Sequence, residues 1–121
     1  MACKYKDHVV IRRGMKCGEK DHALVSMTCS SDPVFLVLRD GPRARQQAID
    51  EVTSWVRDAL QQFADWDRCT ECVHVPGSIK LGQVRVSTEP VGFLYLWTVY
   101  HATLSGNVDV ECVAVEEPEG G

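Results

Sequence analysis

The chain has 121 residues, 45% of them hydrophobic, which is enough for one domain to bury a core without metal or disulfide support. Its apolar runs are shorter than the roughly 20 residues of a membrane-spanning helix, and its first residues include no hydrophobic segment typical of a signal peptide, so we expect a cytoplasmic protein. The formal net charge of −4 combines a basic segment 1–45, with nine Lys and Arg against five Asp and Glu, and an acidic segment 46–121, with four against twelve. This balance disfavours direct nucleic-acid binding.

Three short apolar segments come first in the chain, at residues 8–11, 23–29 and 34–38. They are rich in β-branched and bulky residues and are bounded by breakers, which predicts three strands. The segment 30–33, Ser-Ser-Asp-Pro, has turn composition and predicts a hairpin between the second and third strands. The third is apolar at every position, which is typical of a central strand buried on both faces. Residues 1–7 are expected to be frayed.

A long amphipathic helix is predicted from about Arg43 to Asp67. Asp40 or Gly41 can cap it, and Pro42 fits in the first turn, where a missing N–H is tolerated. Apolar residues recur at spacings of three and four, so we expect them to form one stripe that packs on the sheet. The stripe comprises Ile49, Val52, Val56, Ala59, Leu60, Phe63 and Trp66, with Trp55 beside them.

Beyond Pro76-Gly77 the pattern predicts a meander of three strands, at residues 78–87, 93–104 and 108–115, with turns at Glu89-Pro90 and at 105–107. The parity of the apolar positions changes near Gly82, which predicts a β-bulge there. The acidic segment 116–121 is expected to be frayed.

This order of elements predicts a single α+β domain spanning residues 1–121. We expect one mostly antiparallel sheet of about five to six strands, in the order βββ-α-βββ, packed on a single long amphipathic helix. A sheet wrapped around a long helix has a hot-dog-like arrangement, but an analogy of fold alone does not define a function.

The six cysteines allow a disulfide framework, a zinc site or ordinary thiols. Because no export segment is apparent, we predict reduced cysteines that pack as small hydrophobes. Cys69-x-x-Cys72 with His74 offers zinc ligands, but the other cysteines and histidines have spacings that match no zinc module. A redox CxxC usually begins a helix, whereas this one follows a helix. We therefore predict no metal and no cofactor, with a zinc-stapled domain as the alternative.

The histidines invite comparison with enzymes. His101-Ala102-Thr103 resembles one half of the paired His-x-Thr arrangement of two-histidine phosphoesterases, but the second half is missing. There is also no nucleophile elbow and no Gly-rich phosphate loop. Hot-dog thioesterases often use a carboxylate on the helix, and Asp50, Glu51 or Asp58 could fill that role. We predict no catalytic residues, with a small hot-dog-like or two-histidine-type hydrolase as the enzyme alternative.

Acidic residues on the helix and on the last strand could form one negative surface that binds a basic partner. We therefore expect a small non-enzymatic protein-binding domain that acts by stoichiometric interaction, as an inhibitor, an immunity factor or a phage-type, anti-CRISPR-like antagonist of a nucleic-acid-handling protein. A homodimer that joins the basic segment of one copy to the acidic segment of another is the rival, and no membrane role is expected. The candidate partner-binding residues are Asp50, Asp58, Asp65, Asp109 and Glu111.

Overall fold

Seven strands and one long α-helix make up residues 2–7, 14–35 and 41–115, which are the residues described by a computed structural model. In chain order the elements are β1 (Ala2–Asp7), β2 (Lys20–Ser30), β3 (Val34–Phe35), α1 (Gly41–Asp65), β4 (Val73–Pro76), β5 (Lys80–Leu81), β6 (Arg85–Val91) and β7 (Trp97–Val113). Every paired strand is antiparallel, and the helix packs on one face of the sheet. The predicted α+β class is confirmed, whereas the strand count and order differ from the prediction.

The longest strand, β7, is the centre of the sheet. Its 17 residues pair with β2 and β3 along one edge and with β4, β5 and β6 along the other. Residues 101–103 of β7 pair with both β2 and β6, and residues 97–98 pair with both β3 and β6. β6 must therefore lie on the edge of β7 opposite to β2 and β3. Strand β1 pairs with the outer edge of β2.

The sheet curves around the helix as a half-barrel, and extra residues in the strands beside β7 account for the curvature. The register against β7 shifts by one residue at three places: between β2 and β3, between β4 and β5, and between β5 and β6. At each place the neighbouring chain moves on by four residues while β7 moves on by three. For example, Leu81 pairs with Gly106 and Arg85 pairs with Thr103. An extra residue of this kind bends and twists a strand. The irregularity predicted near Gly82 is therefore present.

The helix confirms the prediction, because its apolar stripe faces the concave side of the sheet. Its buried residues are Ala44, Ala48, Val52, Val56, Leu60, Phe63 and Ala64. They pack with Ala23, Val25, Met27 and Cys29 of β2 and with Ala102, Leu104, Val108 and Val110 of β7. Ile49 and Ala59 are partly buried. Trp55, beside the stripe, and Trp66, just beyond the end of the helix, remain about half exposed.

A buried ion pair closes the core beyond the end of the helix. Arg68 Nη1 lies 2.9 Å from Asp21 Oδ2, and the two side chains are 1% and 9% exposed. The guanidinium also donates to the carbonyl oxygens of Phe63 and, at 3.3 Å, of Trp66, and it lies 3.9 Å above the centre of the Phe63 ring. Arg68 therefore satisfies carbonyl groups that the helix end leaves without partners.

The first half of the chain departs from the prediction in two places. Residues 2–7, predicted to be frayed, form the edge strand β1, which pairs with β2. No hairpin joins β2 to β3, because both strands pair with the same edge of β7 and the turn-like segment 31–33 is only an offset between them. The two described residues of β3 are half-buried, not buried on both faces as predicted. The predictions for residues 8–11, 36–38 and 116–121 lie outside the described residues.

The second half contains one long strand where two were predicted. Residues 105–107 form no turn, because β7 continues through them. Gly106 is needed there for packing: a Cβ atom on it would lie 2.8 Å from Leu60 Cδ1 and 2.8 Å from Leu81 Cδ2. Glycine inside a strand often marks such a close approach. Residues 93–96, predicted as strand, instead form the loop from β6 to β7. The turn predicted at Glu89-Pro90 is absent, because both residues lie within β6.

All six cysteines are paired in disulfides, so the prediction of reduced cysteines is wrong for this structure. The pairs are Cys3–Cys29, Cys17–Cys72 and Cys69–Cys112. The first joins directly opposed residues of β1 and β2. The other two tie the link after the helix to the segment before β2 and to β7. The paired cysteines are 26, 55 and 43 residues apart in sequence, so the pairing cannot be predicted without the strand register.

Candidate functional site

The loop between β6 and β7 and the first residue of β7 present consecutive apolar side chains to solvent, and we call Phe93–Trp97 the hairpin tip. Phe93, Leu94 and Tyr95 are 80%, 70% and 69% exposed, and Leu96 and Trp97 are also exposed. No charged residue occurs from Pro90 to Tyr100. Single exposed apolar residues are common on soluble proteins, whereas a contiguous exposed group marks an interaction site. The hairpin tip is therefore the first candidate site.

The backbone of the hairpin tip is closed and locally strained. The amide of Tyr95 donates to the Gly92 carbonyl at 3.2 Å, and the amide of Leu96 donates to the Phe93 carbonyl at 3.4 Å. Leu94 and Tyr95 have φ values of 56° and 53°, which non-glycine residues adopt at a cost of about 1 kcal/mol or more each. Strained conformations of this kind cluster at functional sites, where the surrounding structure holds them in place.

The base of the hairpin tip is anchored to the sheet. The β6–β7 ladder extends to the pair Val91 and Trp97, and the Trp97 ring lies 5.1 Å from the ring of Phe35. Gly92 has a φ of 83°, and a Cβ there would lie 2.9 Å from Trp97 Cδ1. The tip is thus presented from a braced base, which lowers the conformational entropy that binding would cost.

The predicted partner-binding residues of the helix lie together on its solvent side. Asp50, Asp58 and Asp65 are exposed, and their spacings of eight and seven residues place them on one side of α1. Arg43 and Arg57 are also exposed on this helix. The helix therefore presents both signs of charge.

The other two predicted partner-binding residues lie on a different surface. Asp109 and Glu111 alternate along β7 with residues that face the helix, so they lie on the opposite, convex face of the sheet. Asp109 Oδ1 is 2.5 Å from His22 Nδ1, and Glu111 is opposite Lys20 in the β2–β7 register. The structure thus separates the five acidic residues into two groups on different faces.

A chain of three polar side chains crosses the convex face near the end of β2. Ser30 Oγ is 2.6 Å from His101 Nδ1, and His101 Nε2 is 2.8 Å from Glu89 Oε2. This order of hydroxyl, imidazole and carboxylate is that of an activated nucleophile. The amide of Ser31, which follows the hydroxyl, already donates to the Tyr100 carbonyl at 2.8 Å and so cannot stabilise an oxyanion there.

His22 and His101 do not form a two-histidine site. His22 lies opposite Asp109 and His101 lies opposite Ser30, so eight residues of β7 separate their positions. At about 3.4 Å per residue that distance is roughly 27 Å. Sequence reasoning singled out His101 but missed Ser30 and Glu89, because their proximity depends on strand register and neither lies in a recognisable motif.

The weak metal candidates meet at the link after the helix, but in a form unsuited to zinc. The sulfurs of Cys69 and Cys72 are committed to separate disulfides, so neither supplies the thiolate that zinc requires. His74 Nδ1 is 4.0 Å from the Cys69 sulfur, and His74 Nε2 donates to the Ala64 carbonyl at 2.5 Å. Asp67 is the remaining donor nearby. With both disulfides formed, Cys69 and Cys72 cannot act as the zinc ligands that the alternative requires.

No family of known proteins, no curated protein and no solved structure matches the chain. Its function therefore has to be inferred from its own residues. No helix among residues 2–7, 14–35 and 41–115 is long and apolar enough to cross a membrane.

Proposed function

We propose that the protein is a small non-enzymatic binding domain that acts by stoichiometric interaction with a protein partner, as an inhibitor or antagonist. The hairpin tip is the element that enters the partner. The observation that carries this proposal is the contiguous exposure of Phe93, Leu94 and Tyr95 on a braced loop. Burying an apolar side chain of this size contributes about 1.5–3 kcal/mol, and aromatic residues dominate interface hot spots.

The partner that fits this tip has an apolar cleft. Because no residue from Pro90 to Tyr100 is charged, the tip needs no counter-ion in the partner. A protruding apolar loop fits a concave apolar surface. Asp50, Asp58 and Asp65 can steer a basic partner towards the domain, although Arg43 and Arg57 weaken that field. These carboxylates are the only support for a basic, nucleic-acid-handling target of the kind that a phage-type antagonist binds.

The three disulfides bear on the compartment in which the protein binds its partner. Disulfides persist in oxidising compartments and are rare in the cytosol, so they support an oxidising location over the predicted cytoplasmic one. A partner of this domain must then be present in the same oxidising environment. An inhibitor of a secreted or surface protein meets that condition more directly than an inhibitor of a cytosolic one.

The test removes the apolar tip and keeps the fold. In Phe93→Ser/Tyr95→Ser the 1:1 complex with a partner, identified by a photoreactive residue placed at position 94, should weaken at least about 100-fold. Leu24→Ser is the matched control, because Leu24 is 44% exposed on β2, away from the tip. Unchanged binding by the tip variant would contradict the proposal.

Sedimentation of the protein alone distinguishes a homodimer from a monomer that binds a foreign partner. A dimer that the tip variant abolishes would replace the foreign partner with a second copy of this chain. A dimer that instead dissociates with added salt and survives the tip variant would favour pairing of the basic and acidic segments. We expect a monomer at micromolar concentration.

A hydrolase is the second candidate, and the Ser30–His101–Glu89 chain is the observation that favours it. An activated serine should react with a fluorophosphonate, and Ser30→Ala and His101→Gln should each prevent the reaction. Because the Ser31 amide is already occupied, we expect no labelling of Ser30 by mass spectrometry. Labelling that both variants abolish would put the hydrolase first.

A further inference from the structure

Two half-exposed aromatic rings face a shallow hollow between β1 and α1. Tyr5 and Trp55 are 51% and 47% exposed, and Asp58, Ala59 and Gln62 also line the hollow. The hollow has a volume of about 290 Å³. It is separate from the hairpin tip and from the polar chain at His101.

The sequence builds the hollow from one helix stripe and one edge strand. Trp55, Asp58, Ala59 and Gln62 recur at the spacing that places residues on one side of a helix, and the small side chain of Ala59 leaves room between its neighbours. Tyr5 lies opposite Met27 in the β1–β2 register, and Met27 faces the helix.

The two walls are held in position by nearby bonds. Trp55 Nε1 donates to Glu51 Oε1 at 2.8 Å, which restrains the indole ring and keeps a second carboxylate beside it. The Cys3–Cys29 disulfide fixes β1 to β2 two residues before Tyr5. The indole ring of Trp55 and the backbone of β1 are therefore held in place without a ligand.

We infer that this hollow binds an organic ammonium ion of the quaternary or methylated type. Aromatic faces attract such cations, and Asp58 and Glu51 supply negative charge next to the rings. Among the residues that the structure describes, the five that line the hollow include no Lys or Arg. A methylated ammonium is preferred to a primary one because it is only weakly hydrated and loses less on leaving water.

Two sources can present this group, namely a small choline-type molecule and a methylated lysine side chain of another protein. The chemistry recognised is the same in both. The inference does not rest on the hairpin tip, so a failure of the proposed function would leave it standing.

The first experiment follows the indole N–H signals of the tryptophans by NMR while choline is added. The Trp55 signal should shift and saturate with a Kd on the order of 10 mM, as expected for two cation–π contacts. Trp66 is the internal control, because it is 41% exposed but does not line the hollow. The neutral isostere 3,3-dimethylbutan-1-ol should give little shift, and an equal shift would overturn the inference.

The second experiment changes one wall and keeps Trp55 as the reporter. Tyr5→Leu preserves an apolar side chain but removes the ring, and Asp58→Asn removes the charge; each should weaken choline binding about three- to tenfold. Amide spectra and urea unfolding show whether either variant disturbs the fold. Unchanged affinity in both folded variants would overturn the inference.

The third experiment identifies the source of the cation. Peptides that carry trimethyl-lysine or unmodified lysine are titrated in the same way as choline. Tighter binding of the trimethyl-lysine peptide than of choline supports a protein source, whereas equal binding supports a small molecule. Equal binding of the unmodified and trimethylated peptides would contradict recognition of the methylated ammonium.

Discussion

Breaking the buried pair of Asp21 and Arg68 should destabilise the protein more than any surface substitution. In Asp21→Asn the shape of the side chain is kept but the guanidinium, with its side chain 1% exposed, loses its counter-ion. Removing one partner of a buried pair costs about 3–5 kcal/mol. Arg68 keeps two carbonyl acceptors and its contact with the Phe63 ring, so we expect the lower end, about 3 kcal/mol.

Urea denaturation at neutral pH with the disulfides intact gives the free energy of unfolding for this comparison. Asp109→Asn is the matched control, since Asp109 pairs with His22 on the exposed face and the two side chains are 65% and 60% exposed. That variant should change stability by less than about 0.5 kcal/mol. A loss below about 1 kcal/mol in Asp21→Asn would refute the reasoning, because the guanidinium would then be reaching water in the folded state.

Three further predictions concern the core and the cysteines. Thiol titration in denaturant without reductant should find no free thiol, and detection of all six would show that the disulfides do not form. Gly106→Ala should lower the free energy of unfolding by about 1–3 kcal/mol in urea, because the new methyl meets Leu60 and Leu81; an unchanged midpoint would mean that these side chains move aside freely. Phe63→Ala should cost about 3–5 kcal/mol by the same assay, through the lost ring and its contact with Arg68, and a cost below about 1 kcal/mol would contradict burial of the stripe.

The helix was predictable because its signal is local. Val52, Val56, Leu60 and Phe63 follow a period that only a helix satisfies, and all four are buried. The class of fold followed from the same reasoning, since strands on both sides of one helix leave few alternatives to an antiparallel sheet. The irregularity near Gly82 was also visible as a change of parity along one strand.

Features that depend on distant pairing were not predictable. Ser105-Gly106-Asn107 has the composition of a turn, and only the packing of Leu60 against Gly106 explains why a strand continues through it. The cysteines were interpreted through the missing export segment, whereas the structure pairs them through strand register. A sequence interpretation has no access to which cysteines become neighbours.

The candidate sites were the least predictable part of the chain. The apolar residues from Phe93 to Trp97 look the same in sequence whether they are buried in a strand or exposed in a loop, and the positive φ at Leu94 and Tyr95 has no glycine to signal it. The acidic residues were recognised individually, but their separation onto two faces follows from alternation along β7. Side-chain exposure and strand register therefore determine where the candidate sites lie, and neither follows from composition.

The central position of β7 makes assembly of this sheet a late event in synthesis. Every strand from β2 to β6 pairs with β7, and β7 follows all of them in the chain. Before residues 97–113 emerge from the ribosome, the nascent chain can form the β1–β2 pair and α1, but the part of the α1 stripe that packs on β7 stays uncovered. Such intermediates are prone to aggregate, and folding dominated by distant contacts is slow. A truncation that removes β7 should therefore yield insoluble protein, whereas circular permutation that moves β7 ahead of β1 should shorten the period during which the nascent chain needs chaperones.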